Sequence, residues 1–333
     1  MMEGHHIRLT SSEIGSLWSN YVADSMFKCV YKYYLAHVED KEIKLVLEHA
    51  LDLSQQHIDV ITKIFKEEEH AIPEGFTDQD VDINAPRLFS DEFFLFYTFQ
   101  MTKGALVTYG AALPHTFRND IREHFMSCIS SAMELFNEAS NLLLEKGLLV
   151  RSPHIPYLKE VDMVEKQSFL AGWMGEQRPL TAMEITNLFS NVQTNFMGGL
   201  LVTGFGQVAR SEDVRRHMRR GKELAKKQGD VLNEYLKEND LSASTSWAAE
   251  VLTNNEPPFS DKLMTYQVAM MSAAGIGNYG TSLSASPRRD IAMQYMNFLT
   301  EVGLYAEDGA NILIKHKWLE RPPHAADRDS LMK

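Results

Sequence analysis

The stretch Leu9–Asn20 (LTSSEIGSLWSN) is written again at Leu180–Asn191 (LTAMEITNLFSN), with seven of twelve positions identical at an offset of 171. Further along, from Phe89 onward, the register continues at an offset of 170. Phe89–Asp91 recurs as Phe259–Asp261, Tyr109-Gly110 as Tyr279-Gly280, and Arg118, Asp120 and Ile121 as Arg288, Asp290 and Ile291. The exits match too, Arg151-Ser152-Pro153-His154 answering Arg321-Pro322-Pro323-His324. A chain duplicated in this way folds as two related units, and its 333 residues suit two domains of about 150 each. The spacing predicts a first unit over 1–155, a connector over 156–179, a second unit over 180–326 and a tail over 327–333.

Within each unit the apolar period is helical. Ile43, Leu47, Ala50, Ser54, His57, Ile61 and Ile64 recur at alternating steps of four and three, the seam of a helix packed among others. Val214, Met218, Gly221, Ala225, Gln228, Leu232 and Tyr235 repeat it. The fourth helix carries Ile121, Phe125, Cys128, Ala132, Leu135, Ala139 and Leu142, answered by Ile291, Tyr295, Phe298, Val302, Tyr305, Gly309 and Ile312. Helices are predicted near 10–37, 41–70, 90–113 and 118–146, then 181–208, 212–238, 260–284 and 288–317, with no strand. Thr10 with Glu13, and Thr181 with Glu184, fit the capping box that satisfies the first free N–H groups of a helix. About 20 residues separate the second and third helices, 71–89 and 239–259. At roughly 3.3 Å per extended residue such a segment can run the length of a ~40 Å bundle. The expected fold is all-α: two tandem ferritin-like four-helix bundles, each with one long crossover between helices 2 and 3. An up-down bundle with a long external loop is the other arrangement these lengths allow.

The phrases NAPRLFSDEFF, KQSFLAGWMGEQRPLTAMEITNLFSN, PPFSDKLM, GIGNYGTSL and YAEDGANILI, together with the first repeat, carry a resemblance. Over about residues 9–325 the chain resembles the bacterial ferritin-like family catalogued as domain of unknown function 3231, known mainly from spore-forming bacteria. The resemblance implies paired bundles, and a link to the spore coat through members described as "putative spore coat proteins". It implies no catalytic residues.

A ferritin-like bundle invites a di-iron or di-manganese centre, which needs one Glu from each of two helices and a Glu-x-x-His from each of the others. In the second helix His57 lies mid-seam, but three residues earlier stands Ser54, and the repeat has Ala225 and Gln228. The fourth helix offers Cys128, Ala132 and Leu135. Glu67–His70, the one literal match, sits in the charged run at a helix end. No cofactor is expected; the alternative is a non-standard Fe or Mn site near Asp24, His57 and Glu138. Glu138 and Asp308, flanking the fourth-helix seam, are expected to satisfy a buried polar group.

Gly275–Gly280 spells GxGxxG, but no strand precedes it, so its glycines, like Gly198, Gly199, Gly204 and Gly206, are expected to serve close helix packing. Trp173 in the connector is expected to pack between the units. Arg215, Arg216, Arg219, Arg220, Lys222, Lys226 and Lys227 give the sixth helix a basic outer face. The formal charge of −12 is lopsided: residues 1–150 hold 23 acids against 12 bases, and 151–333 hold 22 against 21. That balance argues against nucleic-acid partners. The basic face reads as a solvated helix surface; the alternative is an interaction face of Arg215, Arg216, Arg219, Arg220, Lys226 and Lys227 that docks an acidic surface, on this chain or another copy. Cys29 and Cys128 read as reduced core thiols, and no apolar run reaches the ~18–20 residues of a membrane span. The expected protein is non-catalytic, structural or interacting, located in the cytoplasm of the mother cell or on the spore coat, with itself or another protein as partner. The alternative is a ferritin-like metalloprotein, iron-binding or an oxidoreductase.

Overall fold

The capping box starts the first long helix of each repeat. Thr10 accepts a hydrogen bond from the Glu13 amide, and the Glu13 carboxylate accepts the Thr10 amide in return, opening α1 (Ser11–His37). Thr181 and Glu184 do the same for α5 (Ala182–Val208). The computed structural model, which describes residues 7–172, 177–242 and 250–332, continues with α2 (Lys41–Glu67), α3 (Asp91–Ala112) and α4 (Asn119–Glu145). In the second repeat α6 (Glu212–Lys237), α7 (Asp261–Ser284) and α8 (Arg289–Lys315) follow, and a short α9 (Arg328–Leu331) lies near the end. The chain is thus all-helical in two tandem regions. An isolated antiparallel bridge joins Phe89 to Val251.

All seven residues of the α2 seam and all seven of the α4 seam are buried. One core joins Leu17 of α1, Ile61 and Phe65 of α2, Tyr109 of α3 and Phe125 of α4; another joins Leu188, Leu232, Tyr279 and Tyr295 of α5 to α8. Contacts fix directions within each repeat. Asn20 meets Tyr109 and Tyr31 meets Thr98, so numbers fall along α1 as they rise along α3. Asn191 with Ser282, and Asn195 with Tyr279, repeat this for α5 and α7.

Two compact units emerge: 1–84, 98–142 and 317–333 form one, and 85–97 with 143–316 form the other. In the first, Gly75 at φ +61 approaches Ser25 so closely that a Cβ would collide with its hydroxyl, which accepts the Phe76 amide at 3.0 Å. The Glu320 carboxylate accepts the Glu74 and Gly75 amides at 3.0 and 2.6 Å. In the second unit, 86–90 pairs with 250–254 through Leu252 N–H to Leu88 O at 2.8 Å and Ser90 N–H to Glu250 O at 3.1 Å. There Phe89 fills the space left by Gly204, where a Cβ would lie 2.5 Å from its ring.

The capping glutamates reach further than their own helix. Glu13 also accepts the Phe117 and Arg118 amides, both at 2.9 Å, at the start of α4. Glu184 accepts the Arg288 amide at 3.1 Å and a two-point ion pair from Arg178 at 2.8 and 2.9 Å. The recurring Arg and Asp complete the junction: Arg118 pairs with Asp120 at 2.7 Å, and the fully buried Arg288 pairs with Asp290 at 2.6 Å. Burial pushes both glutamates up, yet the N–H donors, and Arg178 at Glu184, hold them below the ordinary value of 4.5. A depressed carboxyl stabilises the fold above its unfolded pKa, and that stability is lost as pH falls through the folded one. Thermal unfolding of Glu13→Gln and Glu184→Gln is therefore expected to begin at lower temperature than wild type at neutral pH. The difference should close as pH falls below about 4.5; a constant difference down to pH 2 would contradict it.

Candidate functional site

Midway along the first repeat, Asp24 of α1 and His57 of α2 meet at 3.1 Å between Oδ2 and Nδ1. Both are buried because each stands on the inward seam of its helix. Asn20, one turn before Asp24, donates to the same oxygen and also reaches the Tyr109 hydroxyl at 3.4 Å. His124 of α4 lies against Asn20 Oδ1 at 3.2 Å and packs edge-on to the His57 ring, with centroids 5.8 Å apart. Cys128, a turn on, contacts His124 at 3.6 Å. Beside this group lies a cavity of about 60 Å³ lined by Asp24, Ser54, His57, Thr102 and Tyr109 among others.

Burial is the largest influence on every titrating group here. It raises the Asp24 carboxyl, and alone it would lower His57. The Asp24 hydrogen bond and charge, with a hydrogen bond to Cys128, outweigh it and lift His57 to about 10. Cys128 is itself raised by burial and stays a thiol at neutral pH. His124, desolvated and next to His57, drops to about 4. The pair therefore keeps its proton through neutral pH while His124 stays uncharged.

Glu138 does not join this group. It lies half-exposed on α4, 2.8 Å from His49. Asp308 is likewise half-exposed and pairs with Arg220, so neither satisfies a buried polar group as the sequence suggested. One carboxylate, and an imidazole whose Nδ1 faces that carboxylate, do not fit a di-iron or di-manganese group. Among the described residues no cluster of three or more His, Cys, Asp or Glu is placed to hold a metal ion.

The second repeat rebuilds the centre with neutral groups at the same positions. Asn195 stands for Asp24, Gln228 for His57 and Tyr279 for Tyr109. Asn195 donates to the Tyr279 hydroxyl at 2.7 Å, and that hydroxyl donates to Gln228 Oε1 at 2.8 Å. Gln228 in turn donates to Glu301 at 3.1 Å. A cavity of about 90 Å³ adjoins it.

On α6, four of the basic residues are engaged locally. Arg215 pairs with Glu212, Arg220 with Asp308, Lys226 with Asp230 and Lys227 with Glu301. Arg216, Arg219 and Lys222 are exposed and make no ion pair among the described residues. Cys29 and Cys128 are free and buried. Trp173 lies outside the described residues.

The sequence profile of the family described as "Protein of unknown function (DUF3231)" matches residues 1–161 and again 168–331. The chain belongs to that family. It is also similar to the crystal structure of a "putative spore coat protein" from Bacillus halodurans, at 18% identity and a TM-score of 0.43, over 45% of this chain and 98% of that one. No curated protein matches it. No described helix of this DUF3231 member is long and apolar enough to cross a membrane.

Nuclear magnetic resonance of the imidazole rings should find His57 protonated from pH 6 to 8 and titrating near 10, with His124 neutral until about 4. Because the folded value of His57 exceeds its unfolded 6.5, its stabilising contribution is complete below that pH and is lost towards 10. Two rings titrating together near 6.5 would contradict the pairing.

Proposed function

We propose that each half is a ferritin-like four-helix bundle with one long crossover. We propose further that the chain is a non-catalytic structural or interaction protein of spore-forming bacteria, made in the mother-cell cytoplasm and associated with the spore coat. Three observations support the bundle topology: the antiparallel contacts of first and third helices, the short first-to-second connections, and the capping glutamates that bring the starts of first and fourth helices together. A first helix antiparallel to both its second and its third needs a crossover that returns the chain along the bundle.

The observation that carries the functional reading is the contrast between centre and surface. The polar groups at the centres bond to one another, and the second centre holds Asn195, Gln228 and Tyr279 with no acid–base pair. Outside, Arg216, Arg219 and Lys222 stand unneutralised among the described residues, and they favour an acidic protein partner, another copy included. The coat association follows the resemblance of the sequence to family members described in those terms.

Arg216→Glu with Arg219→Glu leaves the four local ion pairs of α6 intact and is expected to change how sedimentation of the chain depends on salt. An identical profile across ionic strengths would remove the basic face from the account. Extracts of purified spore coats are expected to contain the chain, and its confinement to the soluble fraction of sporulating cells would contradict coat association.

A further inference from the structure

The two central cavities occupy the same place in each repeat, and their linings differ in a directed way. Where the first is bounded by Phe27, Tyr31 and Ala105, the second has Gly198, Val202 and Gly275. The second is the larger, about 90 Å³ against 60 Å³, although Ala132 and Leu135 of the first give way to the bulkier Val302 and Tyr305.

The glycines separate into two kinds. Gly221 and Gly204 are required by their neighbours, because a Cβ would strike Tyr305 in one case and Phe89 in the other. Gly198 and Gly275 are not: the nearest atom to a Cβ at 198 is the Met271 methyl at 3.7 Å, and none lies within 4 Å at 275. Glycine inside a helix costs about 1 kcal/mol relative to alanine. Close packing, the role expected from sequence, explains Gly204 and leaves these two unexplained; what they do is keep the cavity open.

The polar end of the cavity is also specific. Asn195 Nδ2 donates both to the Asn191 carbonyl at 2.9 Å and to the Tyr279 hydroxyl, which fixes the amide orientation. Asn195 lines the cavity, and its Oδ1 receives no hydrogen bond among the described residues. Val202, Val268, Met271 and Leu224 supply apolar lining. We infer that the centre of the second repeat binds a small, mostly apolar molecule carrying one hydroxyl, with the hydroxyl donating to Asn195 Oδ1 and the apolar part filling the space beside Gly198 and Gly275. The volume is below the roughly 150 Å³ of a cavity that holds benzene, which limits the buried part of the ligand to a few heavy atoms.

The test uses the full chain with ¹³C-labelled methionine methyls, titrated with 1-propanol. The Met271 methyl is expected to shift saturably, while that of Met101, which lines the first cavity, stays in place. Gly275→Ala places one methyl in the open space and removes a helix-interior glycine, so it should fold at least as stably as wild type while binding about tenfold or more weakly. No saturable shift at Met271, an equal shift at Met101, or an undiminished response in Gly275→Ala would overturn the proposal.

Discussion

The carboxylate of one glutamate, Glu13 in the first repeat and Glu184 in the second, sets the frame on which the rest is hung. It closes the capping box of the first helix and accepts amides at the start of the fourth, so two helix starts more than a hundred residues apart share one acceptor. Helix starts carry unsatisfied N–H groups and partial positive charge, which makes a buried carboxylate between two of them favourable. With those starts fixed, the register of four 22- to 27-residue helices is fixed, and residues 24, 57 and 109 meet. The recurrence of LTxxE and RxDI in both halves is the sequence trace of this junction.

On that common frame the halves have diverged inside as well as outside. The first centre holds a buried acid–imidazole pair with a second, uncharged imidazole. The second holds amides and a phenol in the same places. A buried ionic pair costs desolvation that its mutual attraction must recover, whereas a neutral hydrogen-bonded set avoids that cost. The second half has also given up Phe27 and Tyr31 for Gly198 and Val202. The surface charge differs in the same sense, −11 over 1–150 and −1 over the remainder.

Much of this is legible in the residue order because a helical seam is a geometric statement. The four-three spacing places His57 inward, and Asp24, named from its position along the first helix, touches it. Glu138 was drawn in by proximity to the same seam, yet it lies one residue before Ala139, about 100° around the helix, and faces His49 instead. His124 is not one of the seven seam residues, although it stands three residues after Ile121 and four before Cys128, both buried seam positions. Its repeat partner, Gln294, is polar as well, which is the signal that could have found it. The assignment of 85–97 to the second unit and 317–333 to the first was not legible. Repeats record common descent, whereas Phe89 packing into the hollow at Gly204 is a contact between segments with no shared pattern.

The central claim is that positions 24 and 57 form one coupled, structural pair for which a neutral amide pair is an equivalent solution. A double-mutant cycle on Asp24→Asn and His57→Gln, read by denaturant unfolding of the full chain, tests it most directly. Each single change strands a buried partner and should destabilise by about 3–5 kcal/mol. The double change, which installs the residues of the second repeat, should return to within about 1–3 kcal/mol of wild type, well short of the summed loss. Strict additivity of the two losses would contradict the account.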